Sequence, residues 1–263
     1  MKFVSMIILG FFTLFIFIAA GIFFFQEKLI FFPDILPPNY KYVFEHKFEE
    51  INFDVEEQVT INALHFKAEN SKGIVYYSHG NSGCLQQWGS VADIFIMNNY
   101  DFLIYDYRGY GKSSGTISES NLYHDAIFIY KQLLNDYKEN EIIIYGRSIG
   151  TGIATKVASE FNPKHLVLES PYYNLPDLVK KMFPFIPSFL LRYKFRNDQM
   201  IKFVTCPVTI IHGTFDEVIY FGASQKLEKL FMEKDSLIPI IGGHHNDLAD
   251  FEIFRKTLAN IMH

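Results

Sequence analysis

Ile142-Ile143-Ile144-Tyr145-Gly146-Arg147-Ser148-Ile149-Gly150-Thr151 is the stretch whose reading decides the fold. Residues 142–145 form a short apolar run, and a helix-like segment opens near Thr151. A G-x-S-x-G turn between a strand and a helix lifts one serine hydroxyl clear of the sheet. The two glycines matter sterically, because a strand that turns straight into a helix crowds backbone against backbone and a Cβ would clash there. Ser148 is therefore a candidate nucleophile. The plainer alternative, a serine that only caps a helix, uses the same residue. The rest of the chain must supply a base, an acid to orient it and an oxyanion site.

The same alternation runs outward in both directions. Apolar runs at 74–78, 102–105, 141–145, 165–168, 207–211 and 237–241 alternate with helical patterns at 85–98, 119–138, 151–161, 221–231 and 247–262. A pair of strands at 51–55 and 59–66 precedes them. Short continuous apolar runs separated by helices imply a mostly parallel sheet covered by helices on both faces, an α/β architecture. Residues 172–200 break the pattern. Pro176, Pro184 and Pro187 are interleaved there with Met182, Phe183, Phe185, Phe189, Leu190 and Leu191. That is too long for an ordinary connection and too apolar for a solvated loop. A small cap inserted over the carboxyl ends of the strands, where ligands bind in open α/β sheets, would serve as a lid or acyl-binding wall. Two short helices that complete the core would read the same way.

An activated serine needs a histidine base and an acid that fixes the tautomer of that histidine. On this architecture the chain order is Ser, then Asp or Glu, then His. Two strand-end turns fit: 212–218, with Asp216 and Glu217, and 242–247, with His244, His245 and Asp247. Asp216 is the better acid, because a short carboxylate holds an imidazole with less freedom. Asp247 reads as a helix-start charge. His79 and His212 each precede a glycine after a strand and read as structural hydrogen-bonders, and His65, His124 and His165 as core or surface residues. For the oxyanion site, one backbone N–H should come from Ile149 and the other from Asn81 in the turn His79-Gly80-Asn81-Ser82-Gly83, with Ser82 as the fallback. Gly109-Tyr110-Gly111-Lys112-Ser113 imitates the end of a phosphate-binding loop, but Asp106 stands where that motif needs its first glycine.

Composition narrows the class. The 263 residues read as one large domain, and a net charge of −5 without a basic stripe disfavours nucleic acid as a partner. Cys84 and Cys206 show no metal or redox spacing and read as two buried free thiols. No metal or organic cofactor is implied, and no obligate protein partner is evident. Residues 3–25 carry no charge, about the ~20 residues needed to cross a bilayer core. The apolar run continues past Ala19-Ala20-Gly21, unlike a signal peptide with its ~7–15 apolar residues. The expectation is an uncleaved single-pass anchor at 1–25, a juxtamembrane tether at 26–47 and a catalytic domain at 48–263. The flanking lysines do not say which side of the membrane holds the domain.

In combination these residues resemble the α/β-hydrolase superfamily, in particular the Bem46-like and ABHD13- and ABHD17-like membrane-associated serine hydrolases. The resemblance rests on the segment 26–33, His79-Gly80-Asn81, the run 105–113, Gly146–Gly150, Glu169-Ser170-Pro171, His212-Gly213-Thr214 with Asp216, and His245-Asn246-Asp247. It implies an α/β-hydrolase fold, Ser148 as nucleophile and Asp216 as orienter. In such proteins the base directly precedes Asn-Asp, which selects His245 over His244. Relatives cleave carboxylic esters or thioesters. The expected function is thus a membrane-anchored serine hydrolase that forms an acyl-enzyme on a lipid-like ester or thioester substrate. A peptidase or amidase on the same triad is the alternative, and a catalytically silent membrane-tethered binding module is a third reading.

Overall fold

The computed structural model describes residues 2–263, without the side chains of residues 2, 4, 5, 7, 8, 11, 12, 15 and 16. Helix α1 (Lys2–Phe25) and the single turn α2 (Glu27–Ile30) lead into a short strand β1 (Phe32–Pro33) and the long pair β2 (Phe48–Glu56) and β3 (Val59–Phe66). Next come β4 (Ile74–Ser78), β5 (Ser82–Gly83), α3 (Leu85–Trp88), α4 (Ala92–Ile96), β6 (Asp101–Tyr105), α5 (Glu119–Leu133), β7 (Ile142–Arg147) and α6 (Gly150–Ala158). The chain ends with β8 (His165–Glu169), α7 (Leu175–Met182), α8 (Asn197–Met200), β9 (Val208–Gly213), α9 (Gly222–Glu228), β10 (Ser236–Ile240) and α10 (Glu252–Met262).

Eight strands form one sheet in the order β10-β9-β8-β7-β4-β6-β3-β2. From β6 to β10 every pairing is parallel, and only β3 with β6 and β2 with β3 are antiparallel. The expected mostly parallel sheet is thus present, with the early strand pair as its antiparallel edge. Alternate side chains of each strand feed two separate cores. Tyr76, Leu103 and Ile144 pack under α5, α6 and α9, whereas Tyr77, Ile104 and Tyr145 pack under α3, α4 and α10. Burial on both faces is why these strands read as continuous apolar runs. Arg108 clamps the turn after β6 to α5 through a two-pronged pair with Asp125 at 2.7 Å per bond.

The helices are shorter than the sequence pattern suggested: α6 ends at Ala158, α9 ends at Glu228 and α10 begins at Glu252, inside the expected 151–161, 221–231 and 247–262. The expected helix at 85–98 is broken into α3 and α4 by a 3-10 turn at Gly89–Val91, where the Phe44 ring packs so close that a Cβ on Gly89 would lie 2.3 Å from it. The expected helix at 119–138 stops at Leu133, just before Asn135 and Asp136, two weak helix formers. Cys84 and Cys206 are both free and buried.

The backbone of α1 is helical for 24 residues, ~36 Å at the usual rise. Among the described residues, however, no helix is long and apolar enough to cross a membrane. The segment after α1 is tightly held. Gln26 is buried and bridges to the cap, its Nε2 donating to Leu190 O at 3.2 Å and its Oε1 accepting from Arg192 N at 2.7 Å. Phe31 is buried against the Tyr193 and Phe195 rings, and β1 pairs in parallel with β5.

Candidate active site

Ser148 stands at the carboxyl end of β7 with φ +53°, in the left-handed region that non-glycine residues rarely occupy. The strain is over-determined by its neighbours. Ser148 N donates to Glu169 O at 2.9 Å, and Thr151 Oγ1 donates to Ser148 O at 2.7 Å. The glycines do the steric work the sequence assigned them. A Cβ on Gly146 would lie 2.6 Å from Gly150 O, and one on Gly150 would lie 2.1 Å from Ser78 O. Those obstacles are backbone and cannot swing away. Gly150→Ala should therefore cost about 1–3 kcal/mol in thermal melts, the usual range for overpacking. An unchanged Tm would mean that the elbow has slack.

The two strand-end turns meet beneath this serine. Asp216 Oδ2 accepts from His245 Nδ1 at 2.8 Å, while Oδ1 accepts from Val218 N at 2.9 Å and Ile219 N at 2.7 Å. His244 is elsewhere, exposed and paired with Glu217 at 3.1 Å. Of the two adjacent histidines, His245 is the one joined to Asp216. His212 also points at Asp216, with Nε2 3.2 Å from Oδ2. His212 Nε2 must carry a proton, since its other neighbour is Ile219 O at 2.8 Å, and Nδ1 accepts from Ser224 Oγ at 2.6 Å. Burial pushes the Asp216 carboxyl up, but hydrogen bonds from His212, His245 and Ile219 N outweigh it and hold the group well below the ordinary carboxylate range. Asp216 is thus an anion that fixes His245 with Nδ1 protonated and Nε2 as the basic nitrogen. Ser148 Oγ and His245 Nε2 bond to nothing among the described residues, and both side chains line the same cavity.

The Asn81 loop is anchored on three sides. Asn81 O accepts from Phe32 N at 2.8 Å and from Tyr110 Oη at 2.7 Å, and Asn81 Nδ2 donates to Ile30 O at 2.8 Å. Tyr107 Oη holds the preceding His79 O at 2.6 Å. Tyr107 and Tyr110 belong to the turn that imitates a phosphate loop, which here braces the site. Among the described residues the backbone N–H groups of Asn81 and Ile149 have no protein acceptor.

Two cavities flank Ser148. One, of about 330 Å³, is walled by carbon: Leu175, Leu178, Val179 and Leu191 from the cap, Leu29 and Phe32 from the segment after α1. The other, of about 160 Å³, is polar and holds Asn81, Ser82, Trp88, Arg147, His245 and Asn246. Segment 172–200 does both things its apolar sequence allowed: Leu178 and Val179 line the cavity, and Tyr172, Tyr193 and Phe195 are buried in the core. Asn174 caps α7 by accepting from Asp177 N at 2.8 Å. Sequence reasoning missed three features: Arg147 in the second cavity, the grip of His212 on Asp216, and Leu29, Ile30 and Phe32 beside the serine. Arg147 was legible as the charged residue inside the G-x-S-x-G turn. The other two depend on contacts between distant turns. Among the described residues no group of three or more His, Cys, Asp or Glu side chains could hold a metal ion.

A family profile described as serine aminopeptidase S33 matches residues 69–203, just over half of the chain. The chain belongs to this family. It is an α/β-hydrolase of the ABHD type. The match takes in Ser148 and the cap but stops short of Asp216 and His245. The hydrolase is 35% identical over 196 residues to the alpha/beta hydrolase domain-containing protein 17B of Xenopus tropicalis, covering 73% of this chain and 67% of that one. It is 31% identical over 185 residues to the lysophosphatidylserine lipase ABHD12 of the same organism, covering 62% and 48%. The chain spans about half the length of the lipase relatives it matches. Among solved structures the Pyrococcus furiosus esterase PF2001 superposes with a TM-score of 0.70 at 18% identity, over 89% of this chain and 97% of that one, a likeness of fold.

Proposed function

We propose that this α/β-hydrolase cleaves carboxylic ester or thioester bonds of lipid-like acyl groups through Ser148, His245 and Asp216. The observation that carries the reading is the bond from His245 Nδ1 to Asp216, in a histidine that shares a cavity wall with a serine on a strained elbow. In the first step Ser148 Oγ bonds to the acyl carbon and its proton passes to His245 Nε2. The developing oxyanion takes hydrogen bonds from Asn81 N and Ile149 N. The bond to the leaving group then breaks as His245 returns the proton to it. Water repeats the sequence, losing its proton to His245 and releasing the acid. The chemistry asks for no metal or organic cofactor. Loss of one oxyanion donor typically costs about 10²–10³ in turnover.

The carbon-lined cavity supports an acyl chain as the group received, since pockets of roughly 300–1,000 Å³ hold small ligands. The lysophosphatidylserine lipase relatives support the same class. Residues 1–25 then act as a membrane anchor, 26–47 as its tether and 48–263 as the hydrolase domain. Phe185 and Phe189 of the cap are each more than three-quarters exposed, and the neighbouring Leu190 is bonded to Gln26 at the end of α1. An apolar cap surface at the foot of an apolar helix suits a lipid interface. Val179→Trp should shift kcat/KM towards shorter acyl esters in a chain-length series, and an unchanged profile would remove the acyl chain from this cavity.

The family description favours a second reading, an aminopeptidase. That activity must recognise a substrate ammonium, for which a carboxylate is the usual partner. The small cavity beside Ser148 instead presents the Arg147 guanidinium and no acidic residue. The test uses the full chain in detergent. A fluorophosphonate should label Ser148, and acyl nitrophenyl esters should turn over faster than aminoacyl nitroanilides. The opposite order would make the protein a peptidase.

A further inference from the structure

We infer that Arg147 forms a subsite for the leaving group and that it selects an anionic, phosphate-bearing one. This rests on the ester-hydrolase reading above and adds the identity of the group released. The two halves of an ester lie on opposite sides of the carbonyl that Ser148 attacks. Asn81, Ser148 and Val218 line both cavities, so the reacting carbon sits between them. The larger cavity is carbon-walled and takes the acyl half. The leaving half faces the 160 Å³ cavity, whose permanently charged lining residue is Arg147.

The arginine is built in, with its side chain only 15% exposed. Its Nε lies 2.9 Å from Glu169 Oε1, off the line of a hydrogen bond, so the two meet as an ion pair. Glu169 Oε2 is taken by Tyr145 Oη at 2.6 Å, and Glu169 does not line the cavity. Arg147 Nη2 donates to His245 O at 3.1 Å and to Asn246 Oδ1 at 2.9 Å, and the guanidinium carbon lies 5.0 Å from the Trp88 ring centre. Nη1 makes no hydrogen bond among the described residues and is not fully buried. A fixed guanidinium with a spare N–H edge, flanked by Ser82 and Asn246, matches the oxygens of a phosphate. Because Nη2 also steadies the His245 loop, replacing the arginine affects general turnover too. Selectivity is therefore the informative readout.

The experiment compares two esters of one acyl chain, glycerol and glycerol phosphate, on the full-length enzyme in detergent. Arg147→Gln should lower kcat/KM for the phosphate ester about 10- to 100-fold more than for the glycerol ester, the usual worth of a hydrogen bond to a charged group. Arg147→Lys should keep part of the difference. Free glycerol phosphate should slow fluorophosphonate labelling of Ser148 in the wild type and not in Arg147→Gln. Equal losses on both esters, with no protection by glycerol phosphate, would overturn the subsite while leaving the esterase reading intact. Failure to hydrolyse either ester, with no labelling, would remove both.

Discussion

Ser148→Ala should lower kcat on acyl esters by at least about 10⁴-fold and abolish fluorophosphonate labelling. The size of the effect follows from how the serine is held. The elbow exists to present one oxygen, and no other hydroxyl occupies that position. The turn itself is stabilised by backbone contacts that alanine retains: the amide bond to Glu169 O and the Thr151 hydroxyl on the carbonyl of residue 148. Alanine at φ +53° is no more strained than the serine it replaces. Tm should accordingly stay near that of the wild type while turnover disappears. A folded Ser148→Ala protein with normal ester turnover would sink the mechanism.

Asp216→Asn should lower kcat about 10⁴-fold, the cost of a wrongly oriented tautomer where a triad carboxylate becomes an amide. Here the amide faces two constraints. The oxygen is needed by Val218 N and Ile219 N, so the NH₂ must occupy the position of Oδ2. It then points a donor at His212 Nε2, which already carries a proton, and donates to His245 Nδ1, which can accept only by giving up its proton, so the His245 proton sits on Nε2, the wrong nitrogen. Stability changes too. The folded-state pKa of Asp216 is depressed, so its contribution is fully present above the unfolded value of ~3.9 and is lost as pH falls from there towards the folded value. Melting curves should show the wild type losing more stability than Asp216→Asn on acidification through that window. Parallel curves would mean that Asp216 carries no charge-dependent stabilisation.

Much of the fold and the site is readable from residues in a row. The strand 74–78 coincides with β4, because a run buried on both faces leaves a nearly uninterrupted apolar signature, and 59–66 coincides with β3, where Val59, Ile61 and Ala63 alternate with Thr60 and Asn62. Ser148, Asp216 and His245 were legible because each stands on a turn at the end of such a run. The choice of His245 over His244 came from family likeness; in the structure His245 bonds Asp216 and His244 bonds Glu217. Contact between remote segments leaves no such local mark. Residues 26–33 gave no local sign that they wall the cavity, because that depends on the register of Phe32 with Ser82 and on Gln26 reaching Arg192. The close packing of the Phe44 ring on Gly89, where the helix expected at 85–98 is interrupted, left no local mark for the same reason.

Gln26 comes directly after Phe25 without an intervening spacer, and its amide is fastened to Leu190 and Arg192. The first helix therefore joins the cap without a leash. Were that helix held in a membrane, as proposed above, the pocket mouth would keep one height and bearing over the bilayer, and substrates would reach it by their own lateral motion. Lengthening the junction with a flexible spacer would trade that fixed geometry for range.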